Sequence, residues 1–168
     1  MAGRAPRSAA RPKALGERYA VVVARFNEAI SKKLLDGALG VLSAHGIAAA
    51  AIDVHWVPGS FELSQAARAL AKTGRYSGVV CLGVVIRGQT PHFEYVSGAA
   101  AQGITRAALD TGIPVSFGVV TALTEEQAWD RAGGAVGNRG EEAAAAAVEM
   151  ARWIRGLRAS RSRRRRAE

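Results

Sequence analysis

The feature that most constrains this fold is a fourfold alternation of short apolar segments with longer segments of helical periodicity. Strand followed by helix, repeated in this way, predicts a parallel sheet covered by helices on both faces. Right-handed crossovers make the fold class α/β, a flavodoxin-like three-layer αβα sandwich with a four-stranded parallel sheet. The four predicted strands cover residues 19–24, 52–56, 78–86 and 113–120.

The predicted helices begin at recognisable capping signals. Ser31 is placed as the N-cap of the first helix, in which leucines recur at helical spacing. Thr90 and Pro91 are placed as the cap and the first residue of the third helix. Thr124 and Gln127 form a capping box that opens a fourth helix. That helix is interrupted by a glycine-rich turn at residues 133–137 and resumes after it.

A chain of 168 residues, nearly half of them apolar, is long enough for one domain with a real core. We expect residues 1–18 to form a flexible basic arm and residues 19–157 to form the folded domain. Residues 158–168 are expected to be a disordered Arg-rich tail.

The net charge of +9 is concentrated at the two ends of the chain. Residues 1–18 hold five basic side chains and one acid, and residues 152–168 hold eight arginines and one acid. Because the charges of the two ends add up to more than the net charge of the whole chain, the middle of the chain is slightly negative. The arginine run at residues 161–166 has no interleaved aromatics to stack bases. We therefore predict no specific nucleic-acid partner, although such a run attracts polyanions in general.

No segment approaches the roughly 18 consecutive apolar residues that a membrane span requires. The first 16 residues are Arg-rich and acid-free like a transit peptide, but they are short and broken by prolines. We expect a soluble, cytoplasmic protein with no membrane partner. Cys81, the only cysteine, lies in an apolar strand, which favours a buried structural residue over a reactive thiol.

The third apolar segment runs into the sequence GQTPHFEY, which predicts an anion site beside a proton-transfer residue. Gly88 allows a turn, and the helix that starts at Thr90 and Pro91 directs free N–H groups and a partial positive charge at this point. Arg87 adds cationic charge, and His92 suits acid/base work near neutrality. A strand, turn and helix also occur in any βαβ unit, and a histidine in a first helical turn is more often a surface residue.

Polar and aromatic side chains follow the first two strands as well. Phe26 and Asn27 could stack on and hydrogen-bond a planar heterocycle, although a lone phenylalanine is usually in the core. In the segment Ser60, Phe61 and Glu62, the serine could donate to a ligand and the glutamate could accept from hydroxyl groups, although a helix cap explains Ser60 equally well.

The fourth strand contains Phe117, and Arg131 and Arg139 lie beyond it. An arginine on a helix is usually a solvated charge. Because the carboxyl ends of parallel strands meet at one edge of a sheet, ligands are expected there.

Five segments, taken in order, resemble the lumazine synthase family over residues 19–153: ARFNEAISKKLLDGAL, WVPGSFEL, LGVVIRGQTPHFEYV, PVSFGVVT and EEQAWDRAGGAVGNRGEEAA. The resemblance implies condensation of 5-amino-6-ribitylaminouracil with 3,4-dihydroxy-2-butanone 4-phosphate. The products are 6,7-dimethyl-8-ribityllumazine, phosphate and water, and this is the penultimate step of riboflavin biosynthesis. No cofactor and no metal is implied.

The resemblance also implies roles for individual residues, with His92 as the proton-transfer residue. The pyrimidine and its ribityl chain are assigned to Phe26, Asn27, Ser60, Phe61, Glu62, Val84, Val85, Ile86 and Phe117. The phosphate is assigned to Gly88, Gln89, Thr90 and, from a neighbouring subunit, Arg131. Arg139 stands where many relatives have lysine, so it is a further candidate for contacting substrate.

The resemblance implies a homopentamer with sites shared between neighbours. The compact turn from Gly133 to Gly140 looks like that of relatives whose twelve pentamers close into a 60-subunit icosahedral shell. Association with riboflavin synthase is a further option. A non-catalytic flavin or lumazine carrier on the same scaffold is the alternative function, but it would lose the base or phosphate groups that this chain keeps in His92, Thr90 and Arg131.

Overall fold

The computed structural model describes residues 16–165, with the side chains of residues 16–160. Most of the predicted basic arm, and residues 166–168 of the tail, lie outside the described residues. The elements are β1 (Tyr19–Ala24), α1 (Glu28–Ala44), β2 (Ile52–Val57), α2 (Leu63–Lys72), β3 (Gly78–Ile86), α3 (His92–Thr111), β4 (Val115–Ala122), α4 (Glu125–Asp130), β5 (Ala132–Gly134), β6 (Gly137–Asn138) and α5 (Arg139–Arg165). Short 3-10 turns at Ala49–Ala51 and Ser60–Glu62 precede β2 and α2.

The main sheet has four parallel strands in the order β2-β1-β3-β4, which confirms the predicted flavodoxin-like sandwich. β1 is buried along its whole length, because it is central and both faces of the sheet are covered. The edge strands β2 and β4 remain partly exposed. The hairpin of β5 and β6 was not predicted, and it forms where the sequence showed only an interruption between two helices.

Two apolar layers lie on the two faces of the sheet. One contains Leu34 and Leu42 of α1 and Val148 of α5, and the other contains Leu63 of α2 and Ile104 of α3. Successive side chains of β1 and β3 alternate between these layers, as the two-residue period of a strand requires. The helices are thereby fixed in place around the carboxyl ends of the strands.

Two predicted caps were wrong. α1 begins at Glu28, so Ser31 lies inside the helix and is buried. Asn27 precedes it in the left-handed region, with φ of 60°, which asparagine tolerates better than most residues. At α3, Pro91 rather than Thr90 occupies the N-cap, and no side-chain cap bond is found there among the described residues.

The capping box of α4 is confirmed in part. Thr124 Oγ1 accepts a hydrogen bond from Gln127 N at 3.2 Å. The return bond runs from Leu123 N to Gln127 Oε1 at 3.0 Å, so it closes one residue earlier than the standard box.

The fold extends beyond the predicted domain at both ends. Glu17, expected in the flexible arm, is only 4% exposed and pairs with Arg152 and Arg155 at 3.0 and 2.7 Å. Arg18 pairs with Asp53 at 3.0 Å. The arginines hold Glu17 in place because removing them would leave its buried carboxylate uncompensated, whereas the pair of Arg18 with Asp53 is partly exposed.

The expected disordered tail also differs from what the structure shows, since the backbone of α5 is helical through Arg165. Arg158 Nη2 lies 3.5 Å from the carbonyl oxygen of Gly112 at the end of α3. Alanine, leucine and arginine are good helix formers, and residues 157–165 contain no glycine or proline that would end the helix.

Cys81 is buried in β3, and burial raises the pKa of its thiol to about 12. The thiol therefore stays neutral and unreactive at physiological pH. Among the helices that the structure describes, none is both long enough and apolar enough to cross a membrane.

Candidate active site

Loops at the carboxyl edge of the sheet are joined by backbone hydrogen bonds that continue past the strands. Arg25 N donates to Val57 O at 2.8 Å, and Phe26 N donates to Pro58 O at 3.1 Å. Arg87 N donates to the carbonyl oxygen of the last residue of β4 at 2.9 Å. The segments that follow β1 and β2 are therefore held side by side, and the turn after β3 is held against the end of β4.

Phe26 and Asn27 take different roles at the end of β1. The Phe26 ring is 72% exposed, so an apolar face is left in solvent where a planar ligand could stack on it. Asn27 Nδ2 donates to Val84 O at 3.3 Å, which ties the start of α1 to the end of β3. The Asn27 carbonyl accepts from the backbone N–H groups of Ile30 and Ser31.

The turn Ser60–Glu62 presents an aromatic and a carboxylate. Phe61 is 58% exposed and Glu62 is half-buried. Ser60 is only 4% exposed, and its hydroxyl is enclosed without a hydrogen-bond partner among the described residues. The sequence suggested a hydroxyl facing a ligand, but in this conformation the Ser60 side chain packs inward.

The end of β3 offers its backbone rather than its side chains. Val84 and Val85 are buried in the two apolar layers, and Ile86 is half-buried. Contacts of Val84 and Val85 with a ligand would therefore use their N–H and C=O groups. One of them, Val84 O, already accepts from Asn27.

The turn after β3 is open to solvent. Gly88, Gln89 and Thr90 are exposed, and the N-terminus of α3 beside them carries no side-chain cap within the described part of the chain. Uncapped N–H groups at the start of a 20-residue helix form an anion-binding position. His92, also exposed, is the first residue of this helix.

One ion pair flanks this turn, and another lies at the start of α1. Arg87 Nη2 lies 3.9 Å from Glu94 Oε1, so its charge is partly offset in the absence of a ligand. On α1, the hydrogen bond from Lys32 holds the pKa of the exposed Glu28 carboxyl below its usual value. Throughout residues 16–165, no group of three or more His, Cys, Asp or Glu side chains is placed to hold a metal ion.

Phe117 does not join this group within one chain. It lies opposite Cys81 in the sheet register, five residues before β4 ends at Ala122. At about 3.3 Å per residue, that is more than a dozen ångströms from the carboxyl edge. Its side chain, 44% exposed on the edge strand, instead lines an apolar groove with Leu109, Met150 and Ile154.

Arg131 and Arg139 lie beyond β4, on either side of the β5–β6 hairpin. Arg131 follows α4 and its Nη1 donates to Gln127 O at 2.9 Å. Arg139, the first residue of α5, forms an ion pair with Glu142 and donates its backbone N–H to Arg131 O. Both guanidinium groups already have partners, and Arg139 is the more firmly held because its partner is a carboxylate.

Sequence reasoning missed two residues that shape this region. Asn138, the last residue of the β5–β6 hairpin, is buried, and its side chain joins α1 to α5. Gly83 lies inside β3 against Ser60. A glycine within a strand is a signal of close approach, so Gly83 could have been noticed, but its partner could not have been identified without the fold.

A family model described as 6,7-dimethyl-8-ribityllumazine synthase matches residues 16–155. The match spans most of the chain and includes every candidate site residue. It begins at residue 16, next to the buried Glu17. It ends within α5, before the arginine-rich segment.

Proposed function

The chain belongs to the 6,7-dimethyl-8-ribityllumazine synthase family, an enzyme family, and from this premise we propose that it condenses 5-amino-6-ribitylaminouracil with 3,4-dihydroxy-2-butanone 4-phosphate. The products would be 6,7-dimethyl-8-ribityllumazine, phosphate and water. The observation that carries the proposal is the match over all four strand ends, together with the open N-terminus of α3 at the same edge of the sheet.

The pyrimidine is proposed to bind at the ends of β1 and β3. An exposed Phe26 ring provides a stacking face, and backbone groups of Val84, Val85 and Ile86 provide donors and acceptors for the heterocycle. Asn27 contributes by orienting this strand end through its bond to Val84 O. The ribityl chain then extends toward the turn at residues 60–62, where Glu62 accepts from hydroxyl groups.

The phosphate is proposed to bind at Gly88, Gln89 and Thr90. The uncapped start of α3 supplies N–H donors and a partial positive charge, and Arg87 lies next to the turn. An anion held in this way is also a good leaving group, because its charge is stabilised as the bond breaks. His92, one residue after Pro91, is within reach of the same volume and is proposed to transfer protons.

The placement of Phe117 supports a site shared between two chains. Phe117 is far from the carboxyl edge of its own sheet and lies in an exposed apolar groove. If a neighbouring chain covers this groove, Phe117 and Arg131 of one chain can complete the site of the other. We therefore propose a homopentamer, and closure of twelve pentamers into a shell as its extension.

The proposed function is tested by mixing the purified chain with both substrates and following the fluorescence of the lumazine product. Product at a rate above the uncatalysed reaction supports the proposal. Binding of the lumazine without turnover would instead indicate a carrier, and neither binding nor turnover would contradict both functions. Omitting the butanone phosphate provides the blank.

A further inference from the structure

A glycine in β3 packs against the turn Ser60–Glu62. A Cβ atom on Gly83 would lie 2.5 Å from Ser60 Oγ, 3.1 Å from Leu63 Cδ1 and 3.3 Å from Ala24 Cβ. The first distance is too short for a carbon and an oxygen that are not bonded. Gly83 does not have a positive φ, so its backbone conformation would suit any residue. The close contact with Ser60 is therefore the reason for a glycine at this position.

Ser60 fills the space that a side chain at position 83 would need. Its hydroxyl is enclosed and has no hydrogen-bond partner among the described residues, so packing alone places it against the strand. In the same turn, Phe61 is exposed and Glu62 is half-buried. A displacement of Ser60 away from the sheet would therefore move both of these side chains.

We propose that Gly83 is a positioning residue, which sets the distance of the turn Ser60–Glu62 from the sheet so that Phe61 and Glu62 meet the pyrimidine substrate at its ribityl chain. This inference rests on the proposed function, since the substrate is the one named there. The phosphate position lies on a different segment, the exposed turn of residues 88–90 that follows β3. The two substrates should consequently respond differently to a change at Gly83.

The test compares Michaelis constants for both substrates in four proteins: the wild type, Gly83→Ala, Ser60→Ala and the double variant. In Gly83→Ala we expect the Michaelis constant for the pyrimidine to rise about tenfold or more, because small misplacements of binding groups have large effects. The constant for the butanone phosphate should stay within about twofold. In the double variant the clash with Oγ is absent, so the pyrimidine constant should return to that of Ser60→Ala.

Gly78→Ala is the matched control, since Gly78 begins the same strand and its Cβ would lie 3.0 Å from the Tyr19 ring at the opposite edge of the sheet. It should alter thermal stability without a selective effect on either substrate. If Gly83→Ala does not fold, Ser60→Thr enlarges the same contact from the other side and should raise the pyrimidine constant alone.

Equal changes for both substrates, or a double variant no better than Gly83→Ala, would overturn the positioning role. A wild-type protein that forms no lumazine would overturn the proposed function instead. In that case equilibrium titration of the four proteins with the pyrimidine would still decide the role of Gly83. The predicted order of pyrimidine affinities among these proteins can be measured without catalysis.

Discussion

His92 is the exposed imidazole at the first residue of α3, next to the uncapped helix N-terminus. We expect His92→Ala to lower turnover by about 10²-fold, the low end for loss of a positioned acid/base, because proximity supplies part of the acceleration. Pyrimidine affinity should stay close to wild type, since Phe26 and the end of β3 are untouched. Thr105→Ala, on an exposed position of the same helix, is the control. Wild-type turnover in His92→Ala would remove His92 from the mechanism.

Arg131 is half-buried, and among the described residues its side chain donates to one backbone carbonyl, so other N–H groups of the guanidinium are available for an anion. We expect Arg131→Ala to raise the Michaelis constant for the butanone phosphate about tenfold or more, since bonds between charged groups are the strong ones. The pyrimidine constant should change little. Arg106→Ala removes an exposed arginine of α3 and serves as the control. Equal effects on both substrates would assign Arg131 to a general structural role.

At the scale of elements, the start of α5 depends on the buried side chain of Asn138. Its Oδ1 accepts from Gly140 N at 2.8 Å and from Glu141 N at 3.3 Å, and its Nδ2 donates to Lys33 O in α1 at 2.9 Å. Asn138→Ala should lower the free energy of unfolding by about 2 to 3 kcal/mol, because it removes a cap and leaves buried groups unpaired.

Urea unfolding measures the effect of Asn138. Asn138→Ser keeps an acceptor for the helix N–H groups but should not reach Lys33, so an intermediate loss is expected. If the alanine and serine variants were as stable as the wild type, the packing of α1 against α5 would not depend on this side chain.

The amino edge of the sheet is held by Asp53 of β2, which accepts from Tyr76 Oη at 2.7 Å and from Arg18 Nη2 at 3.0 Å. The hydrogen bond from Tyr76, followed by that from Arg18, holds the pKa of Asp53 below its usual value. The folded protein thus binds this proton more weakly than the unfolded chain does. The resulting stabilisation is complete above the unfolded pKa, about 4, and is lost as the pH falls through the folded value.

We therefore expect Asp53→Asn to lower the melting temperature at neutral pH, with a difference from wild type that shrinks as the pH is taken toward about 3. Asp36→Asn changes an exposed carboxylate of α1 and is the control. A difference that is constant over this range would show that the charge of Asp53 does not contribute to stability.

At the scale of the whole molecule, two features of the described chain favour association with a second chain. The parallel sheet ends in partly exposed edge strands, and an apolar groove lies between β4, the end of α3 and α5. Leu109, Phe117 and Met150 in this groove are all exposed. A second chain in the groove would bury these side chains. It would also place Phe117 next to the proposed site of that second chain.

For a pentamer, we expect light scattering at physiological salt to give a mass of about five times the 17.6 kDa of the chain. For a closed shell of twelve pentamers, we expect about twelve times the pentamer mass. Leu109→Asp should shift the mass toward the monomer and abolish turnover while circular dichroism stays that of the folded chain. An active monomer would contradict the shared site.

Local sequence signals were sufficient for the four strands of the main sheet and for the family. β3 lies at Gly78–Ile86 as predicted, because an unbroken apolar run is bounded by a glycine on one side and an arginine on the other. The order of five motifs identified the family that the match over residues 16–155 confirms. Such signals depend on neighbours along the chain, so they can be interpreted without knowledge of the fold.

Contacts between distant segments were decided only by the tertiary structure. Glu17 looked like part of a flexible arm until Arg152, 135 positions away, was placed beside it. Ser60 looked like a ligand contact until Gly83 of β3 was packed against it. Phe117 looked like a strand-end residue until the register placed it opposite Cys81. Burial and register depend on which segments become neighbours, and a one-dimensional pattern does not contain that information.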